Sequence, residues 1–436
     1  MSRTLRWFVP GILACSSAWA TPVPISASGQ TQPFAATSAT VGSAAVWLHP
    51  TDLTQSLILG VNGVDGLVAY GLDGGAQAPA VSGLFTTVDV RYGFPLSGQE
   101  VSLVATGARD GTLSFYALNS STRLLQSLPL TQALALGASV SCAVLWHPTG
   151  TSDYELFAFG GSSLRNWALK DDGAGRILAT ELGSAVSTAG SVTGCAVDEP
   201  TQSLYYTVAS QGLLRIRFLP DGGSINTVLA NVGGTDTAIG SSVAGVSLLR
   251  TSGGGSVLIS SPGPSGNGNT VFSAYDRLTS APVGSFQLPA DGGFSAVQLS
   301  AGLASTNMGL GVDFPQGMLV LHDGRNAGLT PNFKLVSWGA VASALGLGTD
   351  SVLDPRAEGP PLLADGGVAP ADGGSSGSSS GASRPTSTSA GFPPQSTGCG
   401  CRTGAVSAPL GVLSALGLFR CLRRRQDRGR SPALEG

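Results

Sequence analysis

One phrase recurs along this chain and limits what the chain can fold into. It is clearest over Val46 to Gly75, VWLHPTDLTQSLILGVNGVDGLVAYGLDGG, which reads as three short strands joined by tight turns. Val46-Trp47-Leu48 is apolar, His49-Pro50-Thr51-Asp52 breaks the run, and Ser56 to Val61 is apolar and partly β-branched. Asn62-Gly63 and Asp65-Gly66 are turn dipeptides, Leu67 to Leu72 is the third strand, and Asp73-Gly74-Gly75 closes the unit. The opening returns as Ala143-Val144 with His147-Pro148-Thr149, and more weakly as Ala196-Val197 with Pro200-Thr201. The ending returns at Leu113 to Tyr116, Leu164 to Leu169, Leu213 to Leu219, Val271 to Tyr275 and Met318 to Leu321, each shortly before Asn or Asp. Endings at intervals of about 45–55 residues match the period of propeller blades. A blade is a small sheet that cannot bury both faces alone, and radial stacking buries them while leaving short, protected edges. The expected fold is all-β, a six-bladed β-propeller over residues 38–350, with Gln32 to Val41 the candidate closing strand.

Charged residues make up 11 % of the 436 residues, against roughly 25 % for an average globular chain, and the 63 glycines suit many tight turns. With net charge −3 and no basic stripe in the globular part, bulk charge favours neither nucleic acid nor an anionic membrane surface. The expected state is a monomer.

Both ends differ from the middle. Residues 1–20 read as a secretory signal: Arg3 and Arg6, the apolar Trp7 to Ala14, then Ala18-Trp19-Ala20. Ile12-Leu13-Ala14-Cys15 is the rival reading, a lipoprotein signal. Either way the chain is expected to be exported. Residues 21–37, rich in Pro, Ser, Thr and Gln, read as a loose leader. Residues 351–398 read as a disordered spacer, with Pro, Gly, Ser, Thr and Ala dominating from about Asp354. Residues 399–436 carry Cys399-Gly400-Cys401, the short apolar helix candidate Ala405 to Phe419, and Arg420, Arg423, Arg424, Arg425, Arg428 and Arg430. An apolar segment followed by arginines is a stop-transfer pattern. This ending resembles the myxobacterial C-terminal sorting signal, MYXO-CTERM, which implies display at the cell surface or outer membrane, or release after processing. A simple C-terminal membrane anchor is the alternative.

Cys142 and Cys195 hold equivalent positions in neighbouring repeats, each just before Ala-Val. A disulfide near the central channel and two buried thiols are both consistent with that register.

Chemistry of the familiar kinds is missing. His49 and His147 sit in equivalent His-Pro turns and read as turn residues, and His322 is the third histidine. No Gly-x-Ser-x-Gly elbow appears in a strand-to-helix context, and neither a Walker loop nor a Cys/His zinc spacing is present.

The order of the phrases resembles the β-propeller phytases (3-phytases). The matching segments include Val46-Trp47-Leu48-His49-Pro50, Val88-Asp89-Val90-Arg91-Tyr92-Gly93-Phe94, Gly194-Cys195-Ala196-Val197-Asp198, Phe314-Pro315-Gln316-Gly317, Asp323-Gly324-Arg325-Asn326 and Asn332-Phe333-Lys334. The resemblance implies a secreted, calcium-dependent phosphomonoesterase acting on inositol hexakisphosphate, with carboxylates around the channel mouth holding several calcium ions. Hard oxygen ligands suit calcium, and the metal's charge stabilises the developing phosphorane.

The residues depart from that pattern. Gly42 and Ser43 stand where the family has paired Asp, Thr193 and Ala244 where it has Glu, and Met308 and Gly311 where it has Asp. Lys170 and Lys334 are the only lysines. By the resemblance, Asp89, Asp198 and Asp323 are the remaining metal candidates and Asp65 a weaker one. Arg109 and Asp89 are the catalytic candidates, and Arg109 and Tyr92 the substrate-binding ones. Two functions stay open: hydrolysis of phytate or another phosphorylated small molecule at a reduced calcium site, or a non-catalytic propeller serving as a surface binding or structural module.

Overall fold

The computed structural model describes residues 21–357 apart from 37–40, 149–150, 184, 189, 220–221, 235–238, 264–267, 327–329 and 352. The chain falls into two units, residues 1–371 and 372–436, and the second lies wholly outside the described residues. Outside them too are the signal segment, the spacer from residue 358 onward, and the C-terminal cysteines, apolar segment and arginines.

Six separate sheets of three to five strands stand around one axis, confirming the six-bladed β-propeller. The inner strands of blades one to six are Ser43–Trp47, Phe85–Leu96, Val140–Trp146, Val192–Asp198, Val246–Thr251 and Leu303–Thr306. Each next strand outward is antiparallel to its inner strand. In blades one, four and six that second strand is buried at every residue: Leu57–Val61, Ser203–Val208 and Met318–Asp323. Both of its faces meet neighbouring blades, which is why these segments read as unbroken runs rather than alternating ones.

The core lies between blades. Phe94, Leu103 and Phe115 of blade two pack with Leu145, Leu156 and Trp167 of blade three. Leu258, Phe272 and Phe286 of blade five pack with Leu319, Leu321 and Trp338 of blade six and its following helix, Trp338–Leu345. Burial of side chains this size stabilises by about 1.5–3 kcal/mol each, so stability resides in the blade-to-blade seams.

The N-terminal segment corrects the leader expectation. Gly29–Gln30 pairs antiparallel with Asn332–Ser337 of blade six, and Val23–Pro24 pairs parallel with Pro282–Gln287 of blade five. The closing strand therefore lies N-terminal to Gln32, where it was expected to begin. Thr31 and Phe34 extend the docking through their amides to Phe333 O and Pro331 O, and the Gln32 amide reaches Gly74 O of blade one. Phe34 is buried edge-on against Tyr70 and Phe333. Two apolar anchors, Ile25 and Phe34, are enough to fix a segment whose composition reads as loose.

The first residues beyond the last blade are also fixed. The Asp350 carboxylate accepts from the amide and hydroxyl of Ser252, and Asn307 Nδ2 donates to the carbonyls of Asp350 and Leu353. Arg356 Nη1 donates to His49 O at 2.6 Å and Pro50 O at 3.0 Å. Ser252, Asn307 and His49 each follow an inner strand, so the segment up to residue 357 crosses the channel mouth at which those strands end. That end is called the lower mouth here, and the end at which they begin the upper mouth.

Candidate functional site

The six inner strands enclose a channel of about 450 Å³. Its upper part is lined by small and hydroxyl side chains, among them Ser43, Thr86, Thr87, Ser141 and Thr193. These hydroxyls stitch neighbouring blades together. Thr86 Oγ1 donates to Val140 O, the Ala143 amide donates to Thr87 Oγ1 at 3.2 Å, and Thr193 Oγ1 donates to Ala244 O at 2.9 Å. The last bond joins the two positions at which the resemblance expects glutamates. Cys142 and Cys195 form a disulfide between the inner strands of blades three and four, so of the two thiol readings the bridge holds. Both half-cystines line the channel.

Gly42 is closed to a carboxylate by its neighbour. A Cβ built there would lie 2.1 Å from His322 Cδ2. The His322 ring is fully buried, its Nδ1 accepts from the Ala301 amide at 3.1 Å, and its Nε2 has no partner among the described residues. Burial holds its pKa down at about 4. His49 accepts the Asp52 amide at Nδ1 and His147 bonds Asp153 O, as expected of turn residues.

The candidate acids do not converge. Asp198, the last residue of the blade-four inner strand, is fully buried, and Arg277 Nη1 donates to both of its oxygens at 2.8 and 2.6 Å and Thr201 Oγ1 donates at 2.6 Å. Asp323 is fully buried in blade six and accepts from Lys334 Nζ at 3.2 Å, the Gln298 and Arg325 amides, and Ser295 Oγ. Lys334 is buried as well, and burial lowers its pKa against the pull of Asp323. Asp89 lines the channel, accepts the Leu145 amide at 2.8 Å and lies 3.5 Å from Arg91 Nη1. Burial pushes its carboxyl up, with Arg91 opposing. Asp65 accepts from Asn62 Nδ2 and the Ala36 amide, a turn anchor. Among the described residues no three His, Cys, Asp or Glu side chains are grouped to hold a metal.

Arg109 and Tyr92 are also apart. Arg109 is exposed on the turn after the second strand of blade two, at the upper mouth, with its guanidinium against Gly63. Tyr92 is at the lower mouth, its hydroxyl accepting the Leu48 amide at 2.9 Å. Roughly 20 Å of strand separates the two levels, so one small substrate cannot meet both.

The charges that do gather are at the lower mouth. Glu199 accepts from Arg91 Nε at 2.8 Å and Arg250 Nη1 at 3.2 Å. Burial alone would raise the Glu199 carboxyl, but the two guanidiniums outweigh it and hold it below its ordinary range. Arg356, clamped to Asp354 at 2.7 Å, covers the cluster from the C-terminal segment. Sequence reading passed over this group, although Glu199 and Arg250 occur at or just after the ends of inner strands and Arg91 lies where the pairing of the long blade-two inner strand becomes irregular. Comparing strand endings across blades is the signal that finds Glu199 and Arg250. Arg356 carried none, because its surroundings read as spacer.

A family model described as Phytase matches residues 11–358. The chain belongs to the phytase family. Over 336 residues this phytase-family chain is 24 % identical to a protein named 3-phytase from Bacillus subtilis (strain 168), covering 74 % of this chain and 85 % of that one. Among solved structures it is similar to the RRP9 WD40 repeats (10 % identity, 70 % and 82 % covered, TM-score 0.39) and to U3-55K (10 % identity, 67 % and 76 % covered, TM-score 0.39). Nothing further is drawn from those two likenesses.

The family's calcium can be tested against these residues. Calcium takes six to eight oxygen ligands carrying surplus negative charge. Here Asp198 and Asp323 are each neutralised by a buried cation, Asp89 faces Arg91, and the other acid positions expected from the family are Gly, Ser, Thr, Ala and Met. The residues present do not fit a calcium cluster.

Proposed function

We propose that this chain is an exported phytase-family propeller whose ligand is a phosphorylated small molecule of the phytate kind, bound without the family's calcium-assisted hydrolysis. The family match across the whole propeller supports the ligand class. One observation sets the chemistry apart from the family's: the buried pairing of Asp198 with Arg277 and of Asp323 with Lys334 leaves these carboxylates no charge for a divalent ion. The Cys142–Cys195 bridge supports export, since structural disulfides belong to oxidising compartments. Attachment to the cell surface through residues 399–436, the only membrane contact proposed, follows from their composition.

Hydrolysis of phytate is the second reading, favoured by the relative's name and by the length of the match. Phosphate release and phytate binding are measured on the purified chain, with calcium and with chelator. The expected result is phytate binding with no calcium-dependent release. Calcium-dependent release that Arg109→Ala abolishes would overturn the proposal in favour of the second reading.

A further inference from the structure

From the lower-mouth geometry we infer that Arg91 and Arg250 form an oxyanion site for a single phosphate group, free or as the head of a phosphate monoester. The inference rests on the ligand class proposed above and moves its recognition away from Arg109.

A separate cavity of about 200 Å³ opens at this mouth, lined by Arg91, Arg250 and Arg356 with Tyr92, His147 and Glu199. Its hydrogen-bonding capacity is lopsided. A guanidinium carries five N–H donors and no acceptor. Arg91 engages Nε with Glu199 and Nη1 with Val90 O, while its Nη2 meets no acceptor among the described residues. Arg250 engages only Nη1, leaving Nε and Nη2. Its buried acceptors are engaged: one Glu199 oxygen accepts from each arginine and the Tyr92 hydroxyl accepts from the Leu48 amide, while the Glu100 carboxylate is exposed to solvent. The arginine side chains remain 21 % and 22 % accessible, and both line the cavity. A cavity whose open groups are cationic donors selects a ligand rich in acceptors, and a planar fork suits phosphate oxygens.

Arg91, Arg250 and Arg356 line the cavity with Glu199 and with the exposed, solvated Glu100; Asp89 lies behind Arg91 and Asp354 behind Arg356. With those two carboxylates the group carries one net negative charge, so recognition rests on the open N–H donors and not on surplus charge. The volume is below the roughly 300–1,000 Å³ of sites for drug-sized ligands. It admits one phosphate group and not a whole inositol hexakisphosphate.

The test is calorimetric titration of the full chain with inorganic phosphate and, separately, with phytate at low salt. Phosphate is expected to bind at one site that weakens with salt, and Arg250→Gln to weaken it about tenfold. Arg176→Gln, which removes an exposed charge on blade three, is expected to leave it unchanged. Glu199→Gln removes the negative charge between the arginines and turns one of its two acceptors into a donor, freeing an arginine N–H, and is expected to tighten phosphate several-fold, a gain that misfolding cannot imitate. If phytate binding falls with Arg250→Gln, the site takes ester head groups; if phosphate binding alone falls, it takes free phosphate, and either result supports the site. Phosphate binding indifferent to Arg250→Gln and Glu199→Gln would overturn it. Phytate binding that persists in that case leaves the ligand class standing, and wild-type protein that binds neither ligand removes both.

Discussion

Replacing Asp198 by Asn separates a structural carboxylate from a metal ligand. Asp198 is fully buried, and Arg277, 2 % accessible, donates to both of its oxygens. The variant leaves the guanidinium charge buried without a counter-charge, a change that costs about 3–5 kcal/mol when one partner of such a pair is removed. The asparagine retains one acceptor for Arg277 or Thr201, which points to the lower end. Unfolding entropy of about 2.1 cal/mol/K per residue over roughly 330 ordered residues converts this into a Tm lowered by about 4–7 °C. Melting curves of wild type and Asp198→Asn, each in millimolar calcium and in chelator, make the measurement. The expected result is the same fall in both solutions and a wild-type Tm that calcium does not move. A ligand bound only by the native state must raise Tm by mass action. A wild-type Tm that climbs with calcium, and a variant that has lost the climb, would refute the reasoning and make Asp198 a ligand.

Three further outcomes are expected. Reduction of the Cys142–Cys195 bridge, which closes a separation of 53 residues, removes about 4 kcal/mol in the chain-entropy account; an unchanged Tm after reduction verified by alkylation refutes it. His322 has a folded pKa of about 4 against about 6.5 unfolded, so the unfolded chain takes the proton first. Its contribution is complete above about pH 6.5 and is lost as pH falls toward 4, on the order of 3 kcal/mol. Urea melts of His322→Gln should show a shallower pH slope than wild type, and an identical slope assigns the loss to other groups. Gly42→Asp forces a Cβ into the His322 ring and should destabilise by about 1–3 kcal/mol, with His322→Ala in the same chain relieving part of it. Strictly additive costs in that double-mutant cycle refute the contact.

The architecture was legible because its signal repeats. Turn dipeptides and apolar runs recur once per blade, so each unit reinforces the reading of the others. That Cys142 and Cys195 are equivalent positions in adjacent repeats was legible for the same reason, but whether they are bonded was left open and the tertiary structure decided it. The N-terminal strands were not, because Val23–Pro24 and Gly29–Gln30 are two residues long and carry no period of their own. They become strands only where blades five and six present open edges. The segment at Asp350 and Arg356 was hidden likewise: its bonds run to Ser252, Asn307 and His49, residues far away in the chain.

The candidate site divides along the same line. The chain on its own determined that most of the acids are gone, since Gly42, Ser43, Thr193 and Ala244 are what they are in any fold. It also determined the blade count, through the spacing of its phrases. Only the tertiary structure decided what the remaining charges do. Asp198 of blade four meets Arg277 of blade five, and Asp323 meets Lys334 on the neighbouring strand of blade six, whereas Arg91, Glu199 and Arg250 come together from three different blades. Repetition along the chain encodes a blade, but a charge pair across blades depends on which strand ends the ring closure brings to one mouth, and no local pattern records that.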